Sequence, residues 1–245
     1  MFTLCFGDYI FPNQTFEVEG FPLDNETKED NIIQRHGSVI QTPYLKSRKF
    51  KIRGYIHNTD EASSHSQFAE MQEYLLAGES QFKYRSDRYI NCYTQKIKPD
   101  YIKGTDKAII DIDINFIAQT PFFYSAGASY SDINNLNGGT SLFYVTNGGN
   151  VFSEPVIYVC ATGGTIADDI GIDNLSNGES FAFRGTVADG KTLRIDSENF
   201  EVMNNLVDGL SYYEGDFVTL ISDVNTFQFA GSTCRLTVEH KYRWY

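Results

Sequence analysis

Apolar and polar residues alternate most cleanly in two stretches of the first half of the chain. In RKFKIRGYI (48–56), Phe50, Ile52, Gly54 and Ile56 fall on one face, with Lys49, Lys51, Arg53 and Tyr55 on the other. That is the period-two pattern of a half-buried strand. In AIIDIDINFIAQTPFFYS (108–125), Ala108, Ile110, Ile112, Ile114 and Phe116 alternate with Asp111, Asp113 and Asn115. Side chains two apart in a strand share a face, so Asp111 and Asp113 come together by geometry alone. No histidine or third acid stands at a readable spacing, and the pair is expected to be the solvated side of a strand rather than a catalytic or metal-binding dyad.

Between these stretches the period changes. In NTDEASSHSQFAEMQEYLLAGES, Thr59 or Asp60 can accept the first free N–H groups of a helix, and Glu61 suits its positive end. Phe68, Met71 and Leu75, with Leu76 beside them, form one apolar stripe, and Gly78 supplies a left-handed stop. This helix, near 60–77, is the single helix that the pattern predicts. A strand pair follows, QFKYR and YINCYTQ, hinged at Ser86-Asp87. The mixed-charge stretch YTQKIKPDYIKGTDK (93–107) is expected to lie exposed between two strands.

After Pro121 the composition shifts. SAGASYSDINNLNGGT is rich in Gly, Ser and Asn, and the segment 125–141 is expected to be a linker or long surface loop. Beyond it come short strand candidates: SLFYVTN, PVIYVCA, IGIDNL, ESFAFRG, KTLRID, FEVM, DFVTLIS, TFQFA and CRLTVEHKYRWY. Turns are marked at Asn147-Gly148-Gly149, Ser176-Asn177-Gly178, Asp189-Gly190 and Gly231-Ser232. About nine short strands in roughly a hundred residues predict an antiparallel β-sandwich. The chain therefore reads as mainly β, with domains at 1–124 and 142–245.

Composition narrows the function more than the fold. At 245 residues the chain can bury one large or two ordinary cores. Its formal charge of −12, from 20 basic and 32 acidic residues, argues against holding nucleic acid by its phosphates. No run of about 18 apolar residues occurs, so no membrane span is predicted. The opening MFTLCFGDYIFPNQTF lacks a basic n-region and does not read as a signal peptide. Cys5, Cys92, Cys160 and Cys234 are far apart without a C-x-x-C, so buried free thiols are expected rather than a zinc site or disulfide framework.

The order of parts in the second half carries a resemblance. TNGGNVFSEPVIYVCATG sets N-G-G before a Pro-led strand; IGIDNLSNGESFAFRG runs an I-x-I-x-N strand through S-N-G into an aromatic strand. DGKTLRIDSENFEV, DFVTLISDVNTFQFAG and the basic-aromatic LTVEHKYRWY follow. This series resembles the carboxy-terminal domain of the distal tail proteins of long, non-contractile-tailed phages. In the first half, RKFKIRGYI, one helix, FKYRSDRYINC and IDIDINFIAQTPFFYS are similar to the same family's amino-terminal domain, with Phe116, Ala118, Pro121, Phe122 and Phe123 echoing its F-x-A-x-x-P-Y-Y phrase. SDVNTF departs from the family, standing where a small glycine-rich turn before Asn is common; Asn225 is kept.

The resemblance implies an N-terminal β-barrel or sandwich with one helix, closing into a homo-hexameric ring, and a C-terminal galectin-like β-sandwich projecting outward. Such a ring would join the tail tube protein to the tail hub and adhesion proteins, with the tape-measure protein and DNA passing through its channel. The protein would be made in the host cytoplasm and carried in the virion at the tail tip. Ring contacts are expected in the 93–107 stretch, at Lys96, Lys98, Tyr101, Ile102 and Lys103.

Two other classes compete. A sugar-binding sandwich would present an exposed aromatic among polar groups, and Tyr212 and Tyr213 beside Glu214 and Asp216 are the candidates. Trp244, in the last strand, reads as packing. An enzyme would need a convergent reactive cluster. His36, His57, His65 and His240 form no metal or triad spacing, and no G-x-S-x-G, phosphate loop or dinucleotide fingerprint is present. No catalytic residue, metal or cofactor is expected, and the favoured reading is a structural assembly protein.

Overall fold

The structure, a computed structural model, describes residues 4–12, 15–26, 29–31, 38–40, 44–101, 108–136, 139–167 and 170–245. The chain divides into two compact units, Met1–Ala126 with Tyr245, and Gly127–Trp244.

In the first unit the strands of the main sheet are β1 (Cys5–Phe6), β2 (Tyr9–Ile10), β3 (Phe16–Val18), β4 (Arg48–His57), β5 (Ser80–Arg85), β6 (Arg88–Tyr101), β7 (Ile109–Ala118) and β8 (Phe123–Ser125), beside two small two-stranded sheets. Helix α1 (Glu61–Leu76) joins β4 to β5. All pairings are antiparallel, in the order β2-β1-β5-β6-β7-β4-β3, and β8 also pairs with β6. The path is open at both ends. Of the two forms expected for this unit, the closed barrel is not what the described strands make.

The alternation read from the sequence is the packing. Ile110, Ile112, Ile114 and Phe116 of β7 are all buried, as are Phe50, Ile52 and Ile56 of β4. Phe50 stacks on Phe116 with ring centroids 5.1 Å apart and planes 16° from parallel. Phe82 of β5 lies 5.0 Å from Phe50 and 5.4 Å from Phe116. Gly54 interrupts the apolar row for a steric reason: a Cβ there would come within 2.3 Å of the Phe16 ring, so the glycine is what lets β3 lie against β4.

Helix α1 begins where expected. Asp60 is its N-cap, with Oδ1 accepting from the Ser63 N–H at 2.8 Å. The buried stripe is Ser64, Phe68, Met71 and Leu75. Leu76 is a correction: one residue turns a helix by about 100°, which carries Leu76 off the stripe, and it is 67% exposed. Ser64 takes the place on the stripe instead, donating its hydroxyl to the Ala108 carbonyl.

The second unit is a two-layer sandwich. The strands of its two layers are β9 (Ser129–Leu136), β10 (Gly139–Asn147), β11 (Val156–Ala161), β12 (Ile170–Asn174), β13 (Ser180–Phe183), β14 (Thr192–Asp196), β15 (Glu201–Asn204), β16 (Val207–Asp208), β17 (Tyr213–Gly215), β18 (Asp223–Gly231) and β19 (Cys234–His240). One sheet runs β9-β19-β11-β14-β15-β16 and the other β10-β18-β12-β13-β17. Inward rows from both layers, such as Ile157, Val159, Leu236 and Val238 against Phe143, Val145, Phe227 and Phe229, form one continuous core.

Two expectations for this unit are corrected. The 125–141 segment is not a free linker: β9 lies within it and pairs with β19 from Ser129↔His240 onward, and β10 begins at Gly139. Its polar composition hid these strands because edge strands need only one apolar face. DFVTLIS forms no strand beyond an isolated bridge between Ser153 and Leu220. Its alternation is real, since Val218 and Leu220 are fully buried, but the backbone between them is held by side chains rather than by a ladder.

Substituting Phe116→Ala should cost about 3–5 kcal/mol, because it removes a ring from the centre of the aromatic stack. Asp111→Asn on the opposite face should change stability by less than about 0.5 kcal/mol. Chemical unfolding of both variants checks the contrast; comparable losses would mean that the two faces are not partitioned in this way.

Candidate functional site

The paired carboxylates are part of a charged ladder. In the register β4-β7-β6, Asp113 lies between Arg53 and Lys98, and Asp111 between Tyr55 and Asp100. Lys51 Nζ reaches Asp113 at 2.7 Å and Arg53 Nε at 3.1 Å, while Arg53 also holds Glu19 at 2.5 Å. The hydrogen bond from Lys51, then the charges of Lys51 and Arg53, hold the Asp113 carboxyl below its ordinary range. A general acid would need the opposite shift. The open groove beside it, about 490 Å³ and lined by Phe16, Arg53, Tyr55 and both aspartates, is therefore a neutralised strand face.

The proposed contact stretch is itself mostly strand. β6 runs on to Tyr101, pairing Lys96 with Asn115, Lys98 with Asp113 and Tyr101 with Ile110. Lys96 and Lys98 are exposed, while Ile102 and Lys103 lie outside the described residues. β5 pairs with β6 only as far as Cys92, so from Tyr93 onward the other side of β6 has no ladder partner among the described residues. A register shift between Thr94 and Lys96 makes a bulge there, and Pro99 lacks an N–H to offer. This is a sheet edge carrying the features that block strand addition.

Tyr212 and Tyr213 separate. Tyr212 is 53% exposed, edge-on to Phe183 at 6.1 Å. Tyr213 stacks between Phe181 and Phe217 at 5.2 and 4.7 Å, and its hydroxyl donates to the Asp216 carbonyl at 2.5 Å. Burial raises its phenol well above the usual value. Tyr213 is a packing residue, and a sugar platform would rest on Tyr212 alone. Glu214 is engaged by Arg184 at 3.3 Å.

The most ordered polar groups were not candidates at all. Asn147, Asn174 and Asn225 are buried at one end of the sandwich. Asn147 Nδ2 donates to the carbonyls of Val151 and Leu220 at 2.9 and 3.2 Å, and its Oδ1 accepts from Gly149 N–H at 3.0 Å. Asn174 donates to the Thr219 carbonyl at 2.8 Å and accepts from Ser176 N–H at 3.1 Å. Asn225 accepts from Ile221 N–H and donates to the Ile221 carbonyl, both at 2.9 Å, and to the Asp223 carbonyl at 3.2 Å. These amides satisfy the irregular backbone of 147–153 and 218–223 that the ladders leave unpaired. Gly149 belongs to the same arrangement, since a Cβ would meet the Arg243 backbone at 2.2 Å. The sequence signal is that each asparagine stands at or near one end of a strand and within the motifs N-G-G, I-x-I-x-N and SDVNTF.

Asp196 closes the β14–β15 turn. It accepts from the N–H groups of Glu198 and Asn199, both at 3.1 Å, from Asn199 Nδ2 at 2.9 Å and from Arg194 at 2.5 Å. Burial works to raise its pKa, but the bonds from Asn199 and the charge of Arg194 prevail and hold it low. Nearby, Arg243 is buried between Glu154 and Glu198. Burial lifts the Glu154 carboxyl against the pull of Arg243. His240, lowered by burial, faces the Thr146 carbonyl through Nε2 at 3.1 Å. His65 sits exposed 3.7 Å from Glu61, and His36 lies outside the described residues. Among the described residues no group of three or more His, Cys, Asp or Glu could hold a metal ion, and no helix is long and apolar enough to cross a membrane. Of the four thiols, all free, Cys92 and Cys234 are buried while Cys5 and Cys160 are half-buried.

Residues 148–244 match the family described as siphovirus-type tail component, C-terminal domain. No curated protein matches the chain. Among solved structures, the phage SPP1 distal tail protein, described as a paradigm of the hub adsorption apparatus in phages infecting Gram-positive bacteria, aligns with a TM-score of 0.77. That alignment covers 99% of each chain at 14% identity. A chain of the phage P2 baseplate in its activated conformation with Ca aligns at 0.44, with 7% identity over 94% of this chain and 93% of that one, too distant to bear on the argument. The family match covers residues 148–244 of the C-terminal unit, and the whole chain has the fold of the SPP1 distal tail protein. The resemblance read from the ordered motifs is borne out on both counts.

Two measurements probe the polar groups. Asn225→Asp replaces a two-proton donor with a carboxylate facing carbonyls, and should lower stability by about 2–4 kcal/mol at neutral pH in thermal or chemical melts. Asp196→Ala should cost about 2–3 kcal/mol at pH 7. Because the folded pKa of Asp196 is depressed, its contribution is complete above the unfolded value of about 3.9 and is lost as pH falls through the folded value. The gap between wild type and Asp196→Ala should therefore narrow in acid; a gap independent of pH down to the acid unfolding limit would refute the assignment.

Proposed function

We propose that this chain is a structural component of the tip of a long, non-contractile phage tail. Copies of it close into a hexameric ring between the end of the tail tube and the hub and adhesion proteins, leaving a channel for the tape-measure protein and DNA. The observation that carries this reading is the tail-component match over residues 148–244 within a chain whose full length follows the distal tail fold.

Physical features of the chain support the reading. A ring needs two different complementary patches per subunit, because head-to-tail contacts close only around a rotation axis. The outer side of β6, with exposed Lys96 and Lys98, supplies cations in a chain of net charge −12, so it can attract an acidic patch on the next copy. Pro99 and the bulge at Gln95 favour contact through side chains rather than a shared ladder. Tyr101, Ile102 and Lys103 remain candidates for this contact from the sequence, Ile102 and Lys103 lying outside the described residues. Acidic residues facing a channel would repel DNA and keep it from adhering.

Light scattering on the purified chain is expected to give a mass near six subunits or a whole multiple of six, and an antibody to the chain should label virions at the tail tip. Charge reversal by Lys96→Glu with Lys98→Glu should weaken assembly by about tenfold or more. A strict monomer at high concentration, with labelling elsewhere on the particle, would overturn the reading.

A further inference from the structure

A β-sandwich has four edges, and each exposes backbone N–H and C=O groups to any strand that arrives. Three edges of the second unit are poor templates. β16 has two residues and β17 has three, with Asp208 and Glu214 on them. β9 carries Asp132, and its register against β19 shifts between Ile133 and Leu136. The fourth edge is different. β10, GTSLFYVTN, is nine residues long, unbulged against β18, and without charge or proline.

The side chains on its outward face are apolar at the centre. Leu142 is 54% exposed and Tyr144 is 62% exposed, flanked by Thr140 and Thr146. The ladder also fixes which backbone groups are available. The Thr146 carbonyl is met by His240, a residue of the opposite sheet, rather than by β18. Because an antiparallel ladder alternates, Thr140, Leu142 and Tyr144 turn their N–H and C=O groups to the same open side. No other strand pairs with β10 there among the described residues.

We propose that the β10 edge is a self-association surface, on which the same edge of a second copy pairs antiparallel about a two-fold axis near Phe143. The occupant follows from charge and register. In a chain of net charge −12 most surfaces of two copies repel, whereas this edge meets itself without a charge on either strand. Antiparallel self-pairing centred on Phe143 sets Leu142 opposite Tyr144 twice; at the margins Thr140 comes opposite Thr146, whose carbonyl His240 already meets, so the ladder rests on the two central pairs. Open-side residues then face open-side residues, as the hydrogen bonds require. An aliphatic–aromatic cross-strand pair is a stabilising one. This contact is isologous, distinct from the head-to-tail contacts of a ring, and does not depend on them.

The test is velocity sedimentation of the full chain, wild type against Leu142→Lys and Tyr144→Lys, with Thr140→Lys as a third variant at the strand margin. All three positions face solvent, and thermal melting confirms folding. The charged variants should have half the assembly mass of wild type, whether the remaining unit is a ring or a single chain. Hydrogen exchange at the Leu142 and Tyr144 amides should slow with rising concentration in wild type only. Equal masses in wild type and variants, or amides exchanging freely at every concentration, would overturn the proposal. If the mass halves but no six-subunit species forms, the ring reading fails and this one stands; rings of equal mass in all forms give the converse.

Discussion

A β-rich chain must account for every backbone N–H and C=O that its sheets do not pair. In the strand interiors of both units the ladders do this, and the side chains are free to divide into an apolar and a polar face. Where the backbone turns irregular, at 147–153 and 218–223, Asn147, Asn174 and Asn225 substitute for the missing ladder. An asparagine amide suits the task because it donates and accepts at once, as a peptide group does. The sandwich core depends on this: without those bonds, Val218 and Leu220 could enter the core only by burying unsatisfied carbonyls.

The distribution of charge follows the same division. The chain is acidic as a whole, yet cations gather on the outward face of β4 and β6, where Lys51 and Arg53 neutralise Asp113. Two carboxylates on one strand face would repel if bare; Lys51 and Arg53 offset this at Asp113, whereas Asp111 faces Asp100 across the ladder. The depressed carboxyl of Asp113 does not suit a general acid. In the second unit the same economy is buried: Arg243 sits between two glutamates, and Asp196 collects enough donors to remain ionised inside a turn.

Much of this was legible in the sequence, for reasons that can be stated. The faces of β4 and β7, the Asp60 cap and the Phe68-Met71-Leu75 stripe follow from local periodicity and need no distant partner. What escaped reading depends on residues far apart. β9 is polar because it is an edge; its strand character is decided by β19, a hundred residues away in the chain. DFVTLIS alternates like a strand but is held by Asn174, Glu179 and Asn225 instead. Tyr212 and Tyr213 are neighbours whose environments differ because one faces Phe181 and Phe217 and the other does not. Asp223 marks a departure that proved informative: it holds φ at +77°, the left-handed conformation that glycine adopts most readily and that Asp tolerates better than most residues.

The described edges of the two units differ in what they offer a partner. The two long edges of this chain are built on opposite principles. β6 beyond Cys92 carries lysines, a bulge and a proline, so any partner must meet its side chains. β10 carries none of these and leaves its backbone on offer. Evolution of a soluble sheet normally removes such an edge, because an uncharged open strand pairs indiscriminately. Here it stands next to three guarded edges in the same sandwich. It is accounted for if the strand's free hydrogen-bonding groups are occupied in the assembled particle.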